Sequence, residues 1–117
     1  TRLPTGFEWE HAATTLPVGD RPFHLSMLHP TPAEPGTGVL RQASGEVWQW
    51  TASAYVAYPG FRTAPGAVGE YNGKFMSGQM VLRGGSALTP PGHTRPTYRN
   101  FFPPAARWPM TGLRLAR

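Results

Sequence analysis

The sequence predicts a small, irregular α+β domain of short antiparallel strands, one or two helices and long ordered loops. Three observations predict it. Glycine and proline number 14 each, roughly a quarter of the 117 residues together, and they break the chain too often for long elements. Four Trp, four Tyr and six Phe nevertheless call for a packed interior, because disordered chains are poor in aromatics. The stretches free of Gly and Pro are short, and several alternate in polarity as half-buried strands do.

The first element is a helix over residues 6–13. Thr5 followed by Glu8 forms a capping box, in which each side chain satisfies a free amide at the helix start. Pro17 lies beyond its end. Phe7 and Trp9 cannot both face one core at helical spacing, so one of them packs against a neighbouring loop. Residues 17–38 read as loop, punctuated by Pro17, Gly19, Pro22, Pro30, Pro32, Pro35, Gly36 and Gly38. GVLRQ (38–42) and GEVWQWT (45–51) follow as short strands. In the second, Val47, Gln49 and Thr51 alternate with Trp48 and Trp50. Residues 57–78 read as loop again. QMVLRGGS (79–86) is the strongest strand, and Gly84-Gly85 ends it in a turn that needs positive φ. TGLRLAR (111–117) closes the chain, with Leu113 and Leu115 alternating with Arg114 and Ala116. An antiparallel core is therefore expected from the segments around 47–51, 80–83 and 112–115, with Trp48 or Trp50 buried in it. A Trp side chain covers about 200 Å², area that a domain this small needs.

Charge narrows the partners. The net charge is +5, and Lys74 is the only lysine. The arginines are scattered except for Arg107, Arg114 and Arg117 near the end, which is a poor footprint for nucleic acid. No apolar run approaches the ~20 residues of a membrane span, and no signal-peptide pattern is present. No nucleic-acid or membrane partner is expected, and the expected location is the cytoplasm. The chain has no cysteine, which removes disulfides and thiolate chemistry.

The chemistry-bearing residues are few. His24 and His29 lie five apart in a loop without an accompanying carboxylate, which argues against a metal site in this chain. Asp20 is the sole aspartate, and no nucleophile motif surrounds any serine. What stands out is TRPTYRNFFPP (94–104), read as a rigid loop. Its arginines, Arg95 and Arg99, can grip carboxylates through the planar guanidinium fork. They can equally pair internally with Glu8, Glu10, Glu46 or Glu70. Of Phe101 and Phe102, one can be core and the other exposed toward a partner, or an aromatic face can meet a cationic ligand.

RLPT-x-x-EWE (2–10), GEVWQWT (45–51), VLRGGS (81–86) and the terminal GLRLAR resemble the formylglycine-generating-enzyme/sulfatase-modifying-factor family. LHPTPA (28–33), AYPGFR (57–62), GEYNGKFM (69–76) and RPTYRNFFPPAARW (95–108) resemble one branch of it, the non-haem iron sulfoxide synthases of ergothioneine biosynthesis. The resemblance implies a C-type-lectin-like fold with little regular structure. It implies chemistry that joins a betaine of histidine to a thiol with iron and oxygen. In the family the iron ligands lie in an H-x3-H-x-E setting on a separate N-terminal helical-bundle domain, and nothing here matches that motif. The family's lectin-like domain is also longer at its start, so residues 1–117 resemble its C-terminal half as a single partial domain. The catalytic cysteines of formylglycine-generating enzymes are absent, which excludes that activity. Gln49 replaces a usual glutamate in the W-E-W motif. Ser77 and Ala87 stand near positions that often carry cysteine. Pro90 stands where one branch has an aspartate for a larger thiol, which favours free cysteine as the thiol.

Carried over, the resemblance implies a pocket wall for hercynine and a thiol. Phe101, Phe102 and Arg95 are the candidate substrate contacts, and Arg99, Trp48 and Trp50 the structural residues. No cofactor is expected in this chain, with Fe(II) held by a partner domain or chain. The expected partners are that iron-binding helical bundle, a second copy of the chain, or a small-molecule ligand. The alternative is a free-standing lectin-like binding module for a small ligand or a protein, without catalysis.

Overall fold

The computed structural model describes residues 1–15, 25–32, 35 and 40–117, and of Glu70, Tyr71 and Asn72 the backbone alone. Helix α1 spans Gly6–Ala13, as the capping box predicts. Thr5 Oγ1 accepts from the Glu8 amide at 3.2 Å, and the Glu8 carboxylate accepts from the Thr5 amide at 2.7 Å. Arg2 forks the same carboxylate at 2.8 and 2.7 Å. Eight residues are too few to hold a helix in water, so packing must hold it. Trp9 and Ala13 are buried, and Trp9 Nε1 donates to Gln49 Oε1 at 2.8 Å. Phe7 points out instead and meets Tyr58, in the segment after the first strand, at 6.1 Å between ring centres.

Among the described residues four strands form one sheet: β1 Trp48–Ala54, β2 Met80–Arg83, β3 Asn100–Phe102 and β4 Thr111–Gly112, in the order β3-β2-β1-β4. β2 runs antiparallel to both β1 and β3. β4 runs parallel to β1, so the sheet is mixed, and the expected antiparallel pairing of the last segment is corrected. Only two of its residues join the sheet. The chain then pairs Ala116 with Arg2 through bonds of 3.0 and 2.8 Å. The Leu/Arg alternation faces opposite to hydrophobic intuition: Leu113 and Leu115 are exposed and Arg114 is half-buried. The inward side is polar, offering Gln49 Oε1 at 2.9 Å and the Arg41 and Gln42 carbonyls at 2.7 and 3.2 Å.

Pairing fixes the faces of the sheet. Gln49 lies opposite Arg83 and Val81 opposite Phe101, on the face that packs α1. Trp50 lies opposite Leu82 and Met80 opposite Phe102, on the second face. Trp48 and Leu82 are buried and Trp50 is half-buried. The α1 face is unusually polar for a core: Gln49, Thr51 and Arg83 are buried there. Each has its acceptor. Thr51 Oγ1 donates to the Val81 carbonyl at 2.8 Å, and Gln49 Nε2 to the Ala43 carbonyl at 2.7 Å.

Three further expectations are corrected. Residues 57–78 contain a helix, α2, Ala67–Lys74. Glycine content hid it, yet Gly69 is demanded by packing, since a Cβ there would collide with the Ala64 carbonyl. Residues 40–42 are not strand; Gln42 has φ 47°, which no regular strand accommodates. Gly38 and Val39 of that expected strand, and most of the expected loop 17–38, lie outside the described residues. Residues 100–102 are strand rather than loop, because adjacent Phe residues pair well against β2 and Pro103-Pro104 stops the ladder. Gly84 and Gly85 do end β2 with φ 97° and 76°.

Candidate functional site: the two faces of an edge strand

β3 is an edge strand, so its neighbouring side chains point to opposite faces. This separates residues that the sequence reading groups together. Phe101 lies on the α1 face and stacks on Tyr55, with ring centres 4.2 Å apart and planes 9° from parallel. Phe102 lies on the second face and meets Trp108 edge-on at 4.8 Å. Both phenylalanines are half-buried, so neither is the freely exposed ring that was expected. In the Phe102–Trp108 pair the exposed ring is Trp108, at 78%.

Arg99 precedes the strand. Its guanidinium lies 3.9 Å from the Tyr58 ring centre and 4.9 Å from that of Tyr55, and donates to the Val56 carbonyl at 2.9 Å. Among the described residues it pins the segment after β1 through a carbonyl and two rings rather than a carboxylate, so the internal pairing with Glu8, Glu10 or Glu46 that the sequence left open is not made. Arg95 is exposed; its Nε donates to Thr97 Oγ1 at 3.1 Å and its guanidinium sits 5.6 Å from the Tyr98 ring. Tyr98 also meets His93 at 4.7 Å and Trp48 at 5.8 Å. Buried Trp48 thus packs against the turn that leads into β3.

The arginine that holds a carboxylate here is Arg83, only 1% exposed. It pairs with Glu10 at 2.8 Å and donates to the Pro96 and Tyr98 carbonyls at 3.0 and 3.1 Å. One guanidinium therefore ties α1, β2 and the turn leading into β3. The position is legible only weakly in the sequence: an arginine before Gly-Gly at the end of an otherwise apolar strand. The other candidate carboxylates are also engaged. Glu8 is held by Arg2, and buried Glu46 accepts from the Thr31 amide and hydroxyl at 2.7 and 3.0 Å. The Glu70 side chain lies outside the described residues, as does His24.

The aromatic surroundings of the strand, Tyr55, Tyr58 and Trp108, were not singled out as site residues by sequence reasoning. AYPGFR and the closing Trp of the 95–108 segment carried the only signal for two of them. Among the described residues no three His, Asp or Glu side chains stand together, so these residues do not fit an iron site. No helix among them is long and apolar enough to cross a membrane.

Residues 31–117, which include all four strands, match the sulfatase-modifying factor enzyme 1-like domain of the FGE-sulfatase family. The chain belongs to this family. As an FGE-sulfatase domain it combines few helices with a mixed sheet, an α+β architecture. It is 33% identical over 141 aligned positions to the hercynine oxygenase of Mycolicibacterium smegmatis, covering 98% of this chain and 32% of that protein. It is 35% identical over 137 positions to the hercynine oxygenase of Mycobacterium tuberculosis, with the same coverage. The hercynine oxygenase of Mycolicibacterium thermoresistibile is 32% identical over 141 positions, covering 98% of this chain and 31% of that protein. The chain spans about a third of the length of these curated relatives.

Proposed function

We propose that this chain is the C-terminal, lectin-like part of an iron-dependent sulfoxide synthase of ergothioneine biosynthesis. In this reading it walls the pocket for hercynine and a thiol, and iron is carried by a domain or chain outside residues 1–117. The observation that carries the reading is similarity to hercynine oxygenases over 98% of the chain. The edge strand gives it a chemical basis. A trimethylammonium group is attracted to aromatic faces, and Phe102 with Trp108 forms an aromatic corner, one of whose rings is largely open to solvent. Phe101 serves as wall, since its ring already stacks on Tyr55. Arg95, exposed on the same segment, is the contact for a substrate carboxylate. This chain's share of the chemistry is binding and orientation.

Titration of the chain with hercynine and with histidine, followed by NMR at the Phe102 and Trp108 signals, tests the reading. Hercynine carries the trimethylammonium group and histidine does not. At about 0.5–2 kcal/mol for a cation over aromatic rings, hercynine is expected to bind roughly 2- to 30-fold more tightly. Phe102→Ala should remove that difference. Equal binding of the two, or no response at either residue, overturns the assignment of the aromatic corner.

A further inference from the structure

A cleft of about 400 Å³ opens on the α1 face, between the start of α1 and the segment after β1. Its size falls in the range of small-molecule sites. Phe7, Val56 and Tyr58 supply its large apolar lining, and Val81, Arg83 and Arg99 line it as well. Phe7 is 67% exposed and Val56 59%. Three large apolar side chains are thus held together on one face and left largely uncovered, with Phe7 and Tyr58 in ring contact.

The charge around the cleft does not cancel. Arg83 and Arg99 are the charged side chains that line it. Arg83 is matched by Glu10, whereas the partners of Arg99 are a neutral carbonyl and two aromatic rings. One positive charge therefore remains. It is already oriented, because the Val56 carbonyl and the Tyr58 face fix the guanidinium plane and leave its other N–H groups without a protein acceptor among the described residues.

We propose that this cleft binds a small carboxylic acid with an apolar, preferably aromatic, body and no cationic group. The carboxylate meets the free edge of Arg99, and the body covers Phe7, Tyr58 and Val56. A preset guanidinium loses little freedom on binding, and a charge-assisted pair is stronger than one to a neutral amide. A cationic ligand is repelled by the unmatched charge. The site is thereby distinct in chemistry from the aromatic corner at Phe102 and Trp108, and does not depend on the reading of that corner.

The test is a ¹H–¹⁵N NMR titration of the intact chain with 3-phenylpropionate, 3-phenylpropanamide and acetate. Saturable shifts are expected at Phe7, Val56, Tyr58 and Arg99 with the acid. The amide should bind about tenfold more weakly, the difference between a charge-assisted and a neutral hydrogen bond, and acetate should be weaker than the phenyl acid. Arg99→Gln should bring acid and amide to parity, and Phe7→Ala should weaken both, with α1 retained because Ala favours helix. The acid–amide comparison needs no variant, so a folding defect in Arg99→Gln leaves it intact. Equal binding of acid and amide, or shifts confined to residues outside the cleft, overturns the proposal.

Discussion

Replacing Arg83 by Met should lower the stability of the domain by about 2–3 kcal/mol. Methionine keeps most of the apolar stem and removes the charged head, so packing changes least. Three interactions disappear. The bonds to the Pro96 and Tyr98 carbonyls, at 3.0 and 3.1 Å, are worth about 1 kcal/mol each. The pair with Glu10 is the third, and breaking a fully buried pair costs ~3–5 kcal/mol because the partner is stranded. Glu10 is not fully buried: its side chain keeps 28% exposure and regains water, so about 1 kcal/mol is the better figure. Against this, the unpartnered Nε donor vanishes with the guanidinium, which returns part of the loss. For a chain of this size each kcal/mol moves the melting temperature by about 4 °C, so the variant should melt about 8–12 °C lower by circular dichroism. Arg83→Lys should recover little, because an ammonium cannot reach three acceptors in a fixed plane. A Glu10→Gln partner variant completes a cycle, and the two losses should sum to more than the double variant shows. A melt of Arg83→Met within about 2 °C of the parent would refute the reasoning.

Lowering the pH should loosen the start of α1. The Arg2 guanidinium, then the Thr5 amide, hold the Glu8 carboxyl down at about 2 from an ordinary 4.5. A depressed carboxylate contributes stability above its ordinary value and loses it as pH falls, here between 4.5 and about 2; Glu8→Gln should flatten that part of a far-UV pH titration. Trp9→Phe should cost about 1 kcal/mol for its hydrogen bond, since Gln49 Oε1 keeps the Arg114 donor at 2.9 Å; a denaturant midpoint checks it. Gly84→Ala should destabilise by more than ~1 kcal/mol in the same assay, because φ is 97° and the new Cβ would lie 2.5 Å from the Ala43 carbonyl. Purified by itself, the chain should hold substoichiometric iron after dialysis, as elemental analysis would show.

The sequence made some elements legible and hid others for identifiable reasons. Helix α1 could be placed to the residue because its start is written in side chains, Thr5 and Glu8, that act locally. β2 could be placed because an apolar run ends at a glycine pair that must take positive φ. The closing segment 111–117 misled because alternation reports a face without saying which face is apolar; the interior opposite Arg114 turned out to be Gln49 and two carbonyls. β3 was hidden by the residues flanking it, Tyr98, Arg99, Pro103 and Pro104, which resemble a loop, while its strand character depends on β2 lying alongside. The site was half legible. The aromatic and cationic residues of 95–102 were visible as a group, but a two-residue period cannot be seen in a segment taken for a loop. Phe101 and Phe102 were therefore grouped when the strand sets them on opposite faces.

That separation has a mechanical consequence for any ligand at β3. An edge strand of three residues has little rigidity of its own, and its position is set by what holds its ends. One end stops at Pro103. The other is fixed by the Pro96 and Tyr98 carbonyls on Arg83, whose own direction is set by Glu10 on α1. Glu10 is far from Phe102 in the sequence and on the other side of the sheet, yet it is two links away through Arg83. Glu10→Gln should therefore shift the NMR signals of Asn100–Phe102 and Trp108 while leaving the α1 capping signals at Thr5 and Glu8 in place. A clamp acting on α1 alone would give the reverse pattern: perturbed helix signals and an undisturbed strand. The two patterns separate a residue that merely stabilises the helix from one that positions both aromatic faces.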